Sequence, residues 1–531
     1  MTSNTHWATK AAENIIHKYP HKKIYTLAAG ISPSGTVHIG NFRDLITAET
    51  VERELKKKGK KTRFIFSWDD YDRFRKIPKN IPSEFEKYLG LPLSKIPSPF
   101  KGKEKSYAEH FEKELEKSLT KLGINPKFIY QTQMYELGKY RKGIITAMKK
   151  RKIIAEILAE FRTQGFTKEE IENYYPLEIY CEKCKKDTTK ITSFDEKNTI
   201  VEYACSCGYQ TKVNISKKDI GKLQWKVDWA MRWAYEDVCF EPGGQDHSSP
   251  QGSYQVSKRI AKKVFNIEPP IYQPYDFIGL SGLSSKMSGS TGINISPEEM
   301  LLIYEPELLR WLFLRVLPMK RFNFCFDSEI IRQYEEFDKE IKKYLEKKLS
   351  EEKEKALELS QSKTNFIKKN NIPFRLISSI GQLTQGNLKE IKRILKDLNT
   401  KYNKESIKRR LILSENWLTK YSPENKIMLL KEADKKYFKK LSKDEKKQIE
   451  NFFLEIEKNW ELEKLTNLTY KIPKKEGLSE IEIKKRQRLF FKNVYMLLIG
   501  KETGPRLATF MISIGKKKIK EMTKEIILKK E

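Results

Sequence analysis

Pro33-Ser34-Gly35-Thr36-Val37-His38-Ile39-Gly40-Asn41 is the stretch on which the reading of this chain turns. Ahead of it runs an apolar segment, Ile24-Tyr25-Thr26-Leu27-Ala28-Ala29, and after it apolar residues recur at Ile39, Phe42, Leu45, Ile46 and Leu55. The pattern predicts a strand, a glycine-rich turn and a helix. Lys56, Lys57 and Lys58 in the last turn and Gly59 beyond it end that helix, and Phe64-Ile65-Phe66 opens a second strand at once. A βαβ unit results, with Gly30, Gly35 and His38 at the end where such units receive phosphates.

Small residues at the turn let a ligand approach the backbone, while a helix N-terminus offers N–H donors and a dipole that favours anions. A triphosphate fits there, with the His38 imidazole, read as one turn into the helix, donating to a phosphate oxygen. Far along the chain Lys286-Met287-Ser288-Gly289-Ser290, preceded by Gly282, reads as a mobile loop whose Lys286 ammonium closes over the phosphates. Either segment alone is compatible with an ordinary connection between elements. Together, and in this order, they are expected to form two halves of one ATP site.

These two segments are similar to the "HIGH" and "KMSKS" signatures of class I aminoacyl-tRNA synthetases, whose catalytic domain is a Rossmann-type fold. Asn41 stands where the first signature usually ends in histidine, and Gly289 where the second usually has a lysine. The resemblance sharpens in Gly30 to Arg43 and in Ser67-Trp68-Asp69-Asp70-Tyr71-Asp72-Arg73-Phe74-Arg75-Lys76-Ile77-Pro78-Lys79-Asn80, which look like the class I lysyl-tRNA synthetases, where Asn41 is usual. It continues through Gly244-Gln245-Asp246-His247 to Gly504-Pro505-Arg506-Leu507-Ala508, covering essentially the whole chain. The resemblance implies attachment of L-lysine to tRNA(Lys) through lysyl-adenylate, with ATP as substrate and Mg2+ beside it. It implies His38 and Lys286 as catalytic residues, Pro33 to Asn41 and Lys286 to Ser290 as the ATP site, and Gly30, Ser32, Trp225, His247 and Tyr275 as the lysine pocket. Ser32 replaces a threonine found in some relatives.

The residues themselves are compatible with a cationic substrate. Trp225 and Trp229 flank Asp228, and Asp246-His247 follow a Gly-Gly turn that exposes them to a ligand. A bland reading stands beside this one: the tryptophans are core aromatics next to Trp233, and Asp69, Asp70 and Asp72 fix strand-end loops through backbone hydrogen bonds. The signatures report ATP and not the amino acid, so a glutamate or arginine enzyme is the near alternative. A noncatalytic synthetase-derived RNA-binding protein is the alternative from another class.

Four of the six cysteines fall as Cys181-x-x-Cys184 and Cys205-x-Cys207 around the β-prone segment Ile191 to Tyr203. Two tight turns bearing four thiolates suit one structural Zn2+ in a small ribbon, with no open position for chemistry. Ser98 to His110, where archaeal relatives often carry a second Cys/His cluster, holds only His110, so no second zinc is expected. Cys239 and Cys325 read as isolated small apolar residues.

The 531 residues carry 104 Lys and Arg against 71 Asp and Glu, a formal charge of +33. That favours a polyanionic partner, although a Lys-rich, Ile-rich composition also follows from an AT-rich coding bias. No long apolar run or N-terminal leader pattern is read, which sets a cytoplasmic expectation without a membrane partner. From Ile330 onward Lys, Glu, Leu and Ile recur at helical spacing with little glycine, and Leu507, Phe510, Met511 and Ile514 read as a packed terminal helix. The expected organisation is an α/β Rossmann-type domain over 1–175 and 216–329, a zinc ribbon inserted at 176–215, and an all-α tRNA- and anticodon-binding region over 330–531. Phe452, Phe453, Trp460, Arg486 and Arg488 are candidates for anticodon contact, with none singled out.

Overall fold

The computed structural model describes residues 5–78, 81–281, 295–362 and 370–527. Two compact units emerge, one of Met1–Cys325 with Lys343–Phe366 and the other of Phe326–Lys342 with Ile367–Glu531. No helix among the described residues is long and apolar enough to cross a membrane.

The strands of the first unit are, in chain order, β1 (Tyr25–Ile31), β2 (Thr62–Trp68), β3 (Lys127–Tyr130), β4 (Leu177–Ile179), β5 (Thr189–Asp195), β6 (Ile200–Cys205), β7 (Gln210–Asn214), β8 (Gly221–Leu223), β9 (Val238–Gly244), β10 (Ile271–Tyr275), β11 (Ile278–Leu280) and β12 (Phe322–Phe324). Five of them make a parallel sheet in the order β10-β9-β1-β2-β3. The chain winds from β1 outward through β2 to β3, then returns to the other side of β1 with β9 and β10. The carboxyl ends of β1 and β9 therefore flank a topological switch point, the place where an open parallel sheet leaves a crevice.

The βαβ expectation holds: β1 and β2 pair in parallel, from Tyr25 opposite Thr62 to Ile31 opposite Trp68, and the helix Phe42–Lys57 joins them. That helix is buried on nearly every side, charged residues included. Its burial is sustained by pairing, since Arg310 meets Glu49 at 2.7 Å and Arg43 donates to the carbonyls of Asp276 (2.8 Å), Leu317 (3.0 Å) and Lys320 (2.9 Å). Gly59, at φ +72°, occupies the left-handed position beyond the helix end.

Between β3 and β9 lies an insert. β4 and β8 pair antiparallel at its base, and β5, β6 and β7 form an antiparallel meander. It is fastened to the loop after β2: the Asp187 N–H donates to Gly90 O at 2.9 Å, Arg73 donates to the Asp187 carboxylate at 2.8 Å, and Lys222 of β8 pairs with Asp72.

The second unit is helical. Its core is built from residues such as Ile377, Ile394, Ile449, Phe452, Phe453, Val494 and Phe510. Tyr334 stacks on Phe374 with ring centroids 3.9 Å apart, and buried Arg410 pairs with Asp338 at 2.7 Å. Capping boxes at Ser442 and Ser479 start two of the long helices, and Gly500 in the left-handed conformation ends the second. The segment Leu507–Ile514 is a packed helix, and a further helix, Lys516–Ile527, follows it.

Candidate active site

A cleft of about 760 Å³ opens at the carboxyl ends of β1 and β9. It gathers much of what the sequence analysis singled out: Gly30, Ser32, Ser34, Gly35, Thr36, Val37, His38, Gly40, Asn41, Trp225, His247 and Tyr275 all line it. Pro33 and Ile39 do not; both are buried. The segment Lys286 to Ser290, with Gly282, lies outside the described residues.

The turn is held from three sides. Tyr107 donates its hydroxyl to Ser34 O at 2.9 Å, the Ile39 N–H donates to Ile295 O at 2.7 Å, and the Asn41 N–H returns to His38 O at 2.9 Å. These bonds correct one expectation. His38 stands ahead of the helix, which starts at Phe42, and not one turn into it. Ile39 to Asn41 form a turn in which the N–H groups of Asn41 and Phe42 both point to His38 O, and regular helix begins at Phe42. The Asn41 side chain makes no cap bond, the Asn41 N–H also lies 3.3 Å from His38 Nδ1, and the dipole end of the helix faces the cleft.

Deeper in, between β1 and β9, a recess of about 80 Å³ is lined by Gly30, Asp44, Asp69, Trp225, Trp229, Arg232, Trp233, Glu241, His247 and Tyr275. Gly30 leaves no room for a side chain, because a Cβ there would meet the Ser67 carbonyl oxygen at 3.0 Å. Trp225 and Trp229 stack with centroids 5.0 Å apart and planes 19° from parallel, and the His247 ring stands 6.1 Å from the first and 5.7 Å from the second. The tryptophans thus serve both readings: Trp229 is buried and touches Trp233, and it still presents a face to the recess.

The acid at the floor is Asp44, which the sequence analysis missed. Its carboxylate accepts from the Gly30 N–H at 3.3 Å and from the Tyr275 hydroxyl. Burial, reinforced by Glu241, pushes it well above the usual carboxylate range. Burial likewise brings Glu241 up to about 7, against the indole donors of Trp233 and Trp229. The only hint in the sequence was a carboxylate in the first turn of a helix whose neighbours are mostly apolar. Asp228, expected to face a ligand, is instead fully buried, bound by Arg232 and by the Tyr135 hydroxyl. Asp69 pairs with Arg232 at 2.6 Å, Asp70 accepts from the Thr132 N–H at 2.9 Å, and Asp72 pairs with Lys222. The aspartates after β2 therefore brace loops, through ion pairs as much as through backbone hydrogen bonds.

In the insert, the four sulfurs of Cys181, Cys184, Cys205 and Cys207 lie within 4.8 Å of one another. Cys181 and Cys207 are 3.8 Å apart and Cys184 and Cys205 3.6 Å, spacings suited to four thiolates on one tetrahedral divalent ion. His110 stacks on Phe100 at 4.0 Å. Of the aromatics considered for RNA contact, Phe452 and Phe453 are in the core of the helical unit, which removes them from any surface.

The family model "tRNA synthetases class I (K)" matches residues 5–363, and the chain belongs to that family. It is 38% identical to a lysine–tRNA ligase of Borreliella burgdorferi, over 98% of this chain and 99% of that one. A lysine–tRNA ligase of Pyrococcus horikoshii is 36% identical over 96% and 98%, and one of Streptomyces coelicolor 34% identical over 99% of both.

Proposed function

We infer that this protein is a class I lysine–tRNA ligase: it activates L-lysine with ATP to lysyl-adenylate and transfers the lysyl group to tRNA(Lys), releasing pyrophosphate and AMP. The observation that carries the substrate reading is the recess, an aromatic-walled slot closed by the buried Asp44 carboxylate, for which an ammonium group is the natural counter-charge. Glutamate would bring a further negative charge to an acidic floor. The lysine–tRNA ligases that match over almost their whole length support the same assignment.

In this reading the lysine side chain passes between Gly30, Trp225 and Tyr275 to Asp44, with Ser32 and His247 nearer its α-carbon. The α-carboxylate oxygen attacks the α-phosphorus of ATP and pyrophosphate leaves. A ribose hydroxyl of the terminal tRNA adenosine then attacks the aminoacyl carbonyl, and AMP leaves. No protein nucleophile is needed, since placement and charge stabilisation suffice. The turn Ser34 to Asn41 and the open helix end receive the triphosphate, His38 donates to it, and Lys286 in Lys286-Met287-Ser288-Gly289-Ser290 adds a second cation. Mg2+ bound to the triphosphate supplies charge screening. Cys181, Cys184, Cys205 and Cys207 hold a structural Zn2+, and the helical unit contacts tRNA. The reaction would take place in the cytoplasm.

The test is ATP/pyrophosphate exchange with each standard amino acid, with and without tRNA. Exchange with lysine alone is expected, and exchange with glutamate or arginine would overturn the assignment. Asp44→Asn should raise the KM for lysine by roughly 10²-fold while leaving that for ATP within about twofold.

A further inference from the structure

The lysine reading leaves one buried group of the recess without a task. Glu241 lies in β9, a strand with every residue buried, and lines the same recess as Asp44. Among the described residues neither carboxylate enters an ion pair. Arg232, the guanidinium of the recess, is committed to Asp69 at 2.6 Å and to Asp228. Glu241 instead accepts the Trp233 indole N–H at 2.5 Å and faces the Trp229 indole N–H, which has no partner elsewhere.

Two carboxylates in so small a space, away from water, cannot both stay ionised without a cation between them. The other groups facing the pair do not change this. Arg232 from the helix Trp225–Glu236 is already paired with Asp69, from the end of β2, and with Asp228, and Glu236 at the end of that helix is paired with Arg63. Tyr272 and Tyr275 from β10 are held protonated by burial, and Asp246 follows β9. His247 lines the mouth. The raised positions of both acids agree with this arrangement.

We propose that Glu241 is a specificity-determining residue: before the ligand arrives the two carboxylates of the recess, Glu241 and Asp44, together carry one proton, and a side chain ending in an ammonium displaces that proton to solvent and is held by both carboxylates. The proposal rests on the lysine assignment of the recess. Charge balances, because one proton leaves as one ammonium enters, and no covalent bond to the ligand forms or breaks. A neutral side chain of the same length cannot displace the proton and would cover a charged pair without compensating it, so the pair discriminates against it.

Isothermal titration of the full-length protein with L-lysine, in buffers of high and low ionisation enthalpy, counts the protons released. At about pH 6 the count should approach one per lysine bound and fall toward zero by about pH 8.5, with affinity tightening up to about tenfold per pH unit over the lower part of that range. Glu241→Gln retains an acceptor for Trp233, and it should abolish most of the release and flatten the pH dependence. Lysine binding with no proton release in the wild-type protein at any pH, or undiminished release in the variant, would overturn the proposal and leave the lysine assignment standing. Absence of any lysine binding would remove the assignment itself, and the proposal with it.

Discussion

At the scale of the residue, Glu112 is the buried acid with the plainest consequence. It sits on the helix Tyr107–Lys121, 4% exposed, with one carboxylate oxygen lacking a hydrogen-bond partner. Burial, with Asp70 and Glu116 nearby, brings it up to about 8, and burial brings Asp70 up to about 6. In the unfolded chain a glutamate titrates near about 4.3. The folded state therefore holds the Glu112 proton more tightly, and the stability linked to it is complete below about pH 4 and lost as pH rises through 8. The loss reaches roughly 1.4 kcal/mol per pH unit where the two states differ by a whole proton. Thermal unfolding of Glu112→Gln from pH 5 to pH 9 should show a shallower fall in Tm than the wild-type protein; parallel curves would assign the pH dependence elsewhere. Residues such as Glu112, Asp44 and Glu241 carry little mark in the sequence. What sets them apart is burial, and burial belongs to the neighbours that surround them.

At the scale of the element, the turn before Phe42 and the insert between β3 and β9 follow the same logic of local motif and distant anchor. The spacing of Cys181, Cys184, Cys205 and Cys207 was legible because pairs one or two residues apart on tight turns converge whatever the rest of the fold does. How the insert is fastened was not, for Asp187 with Gly90 and Arg73, and Lys222 with Asp72, are meetings of segments well separated in sequence. If the cluster binds zinc, purified protein should carry about one ion per chain, and Cys205→Ser should lose it, with protease cleavage newly appearing between β5 and β7. Because that insert holds Asp72 and Arg73, two residues of the cleft wall, the variant should also lose aminoacylation several-fold. Full metal content in Cys205→Ser would contradict the four-thiolate site.

For the whole molecule the dominant quantity is charge, +33 over 531 residues. Composition alone left two explanations, an RNA partner or coding bias, and the family bears on the first without deciding how many lysines touch phosphate. Salt separates them. If the lysines neutralise phosphates, kcat/KM for tRNA should fall by about tenfold or more between 50 and 200 mM monovalent salt, and the KM for lysine in exchange assays, at saturating tRNA, far less. A tRNA dependence no steeper than that of lysine would assign the surplus charge to coding bias.

By itself the sequence determined what depends on near neighbours: the strand, turn and helix around Gly35, the parallel pairing of β1 with β2 that such a unit imposes, the helical run after Ile330, and the convergence of the cysteine pairs. Periodicity and glycine positions act within a few residues, so they can be read without knowing the fold. Tertiary structure alone decided which charges face the recess. Asp228, flanked by two pocket tryptophans in sequence, is turned away and neutralised by Arg232, while Asp44 and Glu241, on a helix and a strand far apart in the chain, both line the recess. It also decided that His38 stands ahead of the helix, in a turn anchored by the bond from Ile39 to Ile295, and that Phe452 and Phe453 are core. The physical reason is common to all of these. The state of a buried polar group depends on solvent exclusion and on the nearest opposite charge, and both are set by the sheet order that brings β9 beside β1.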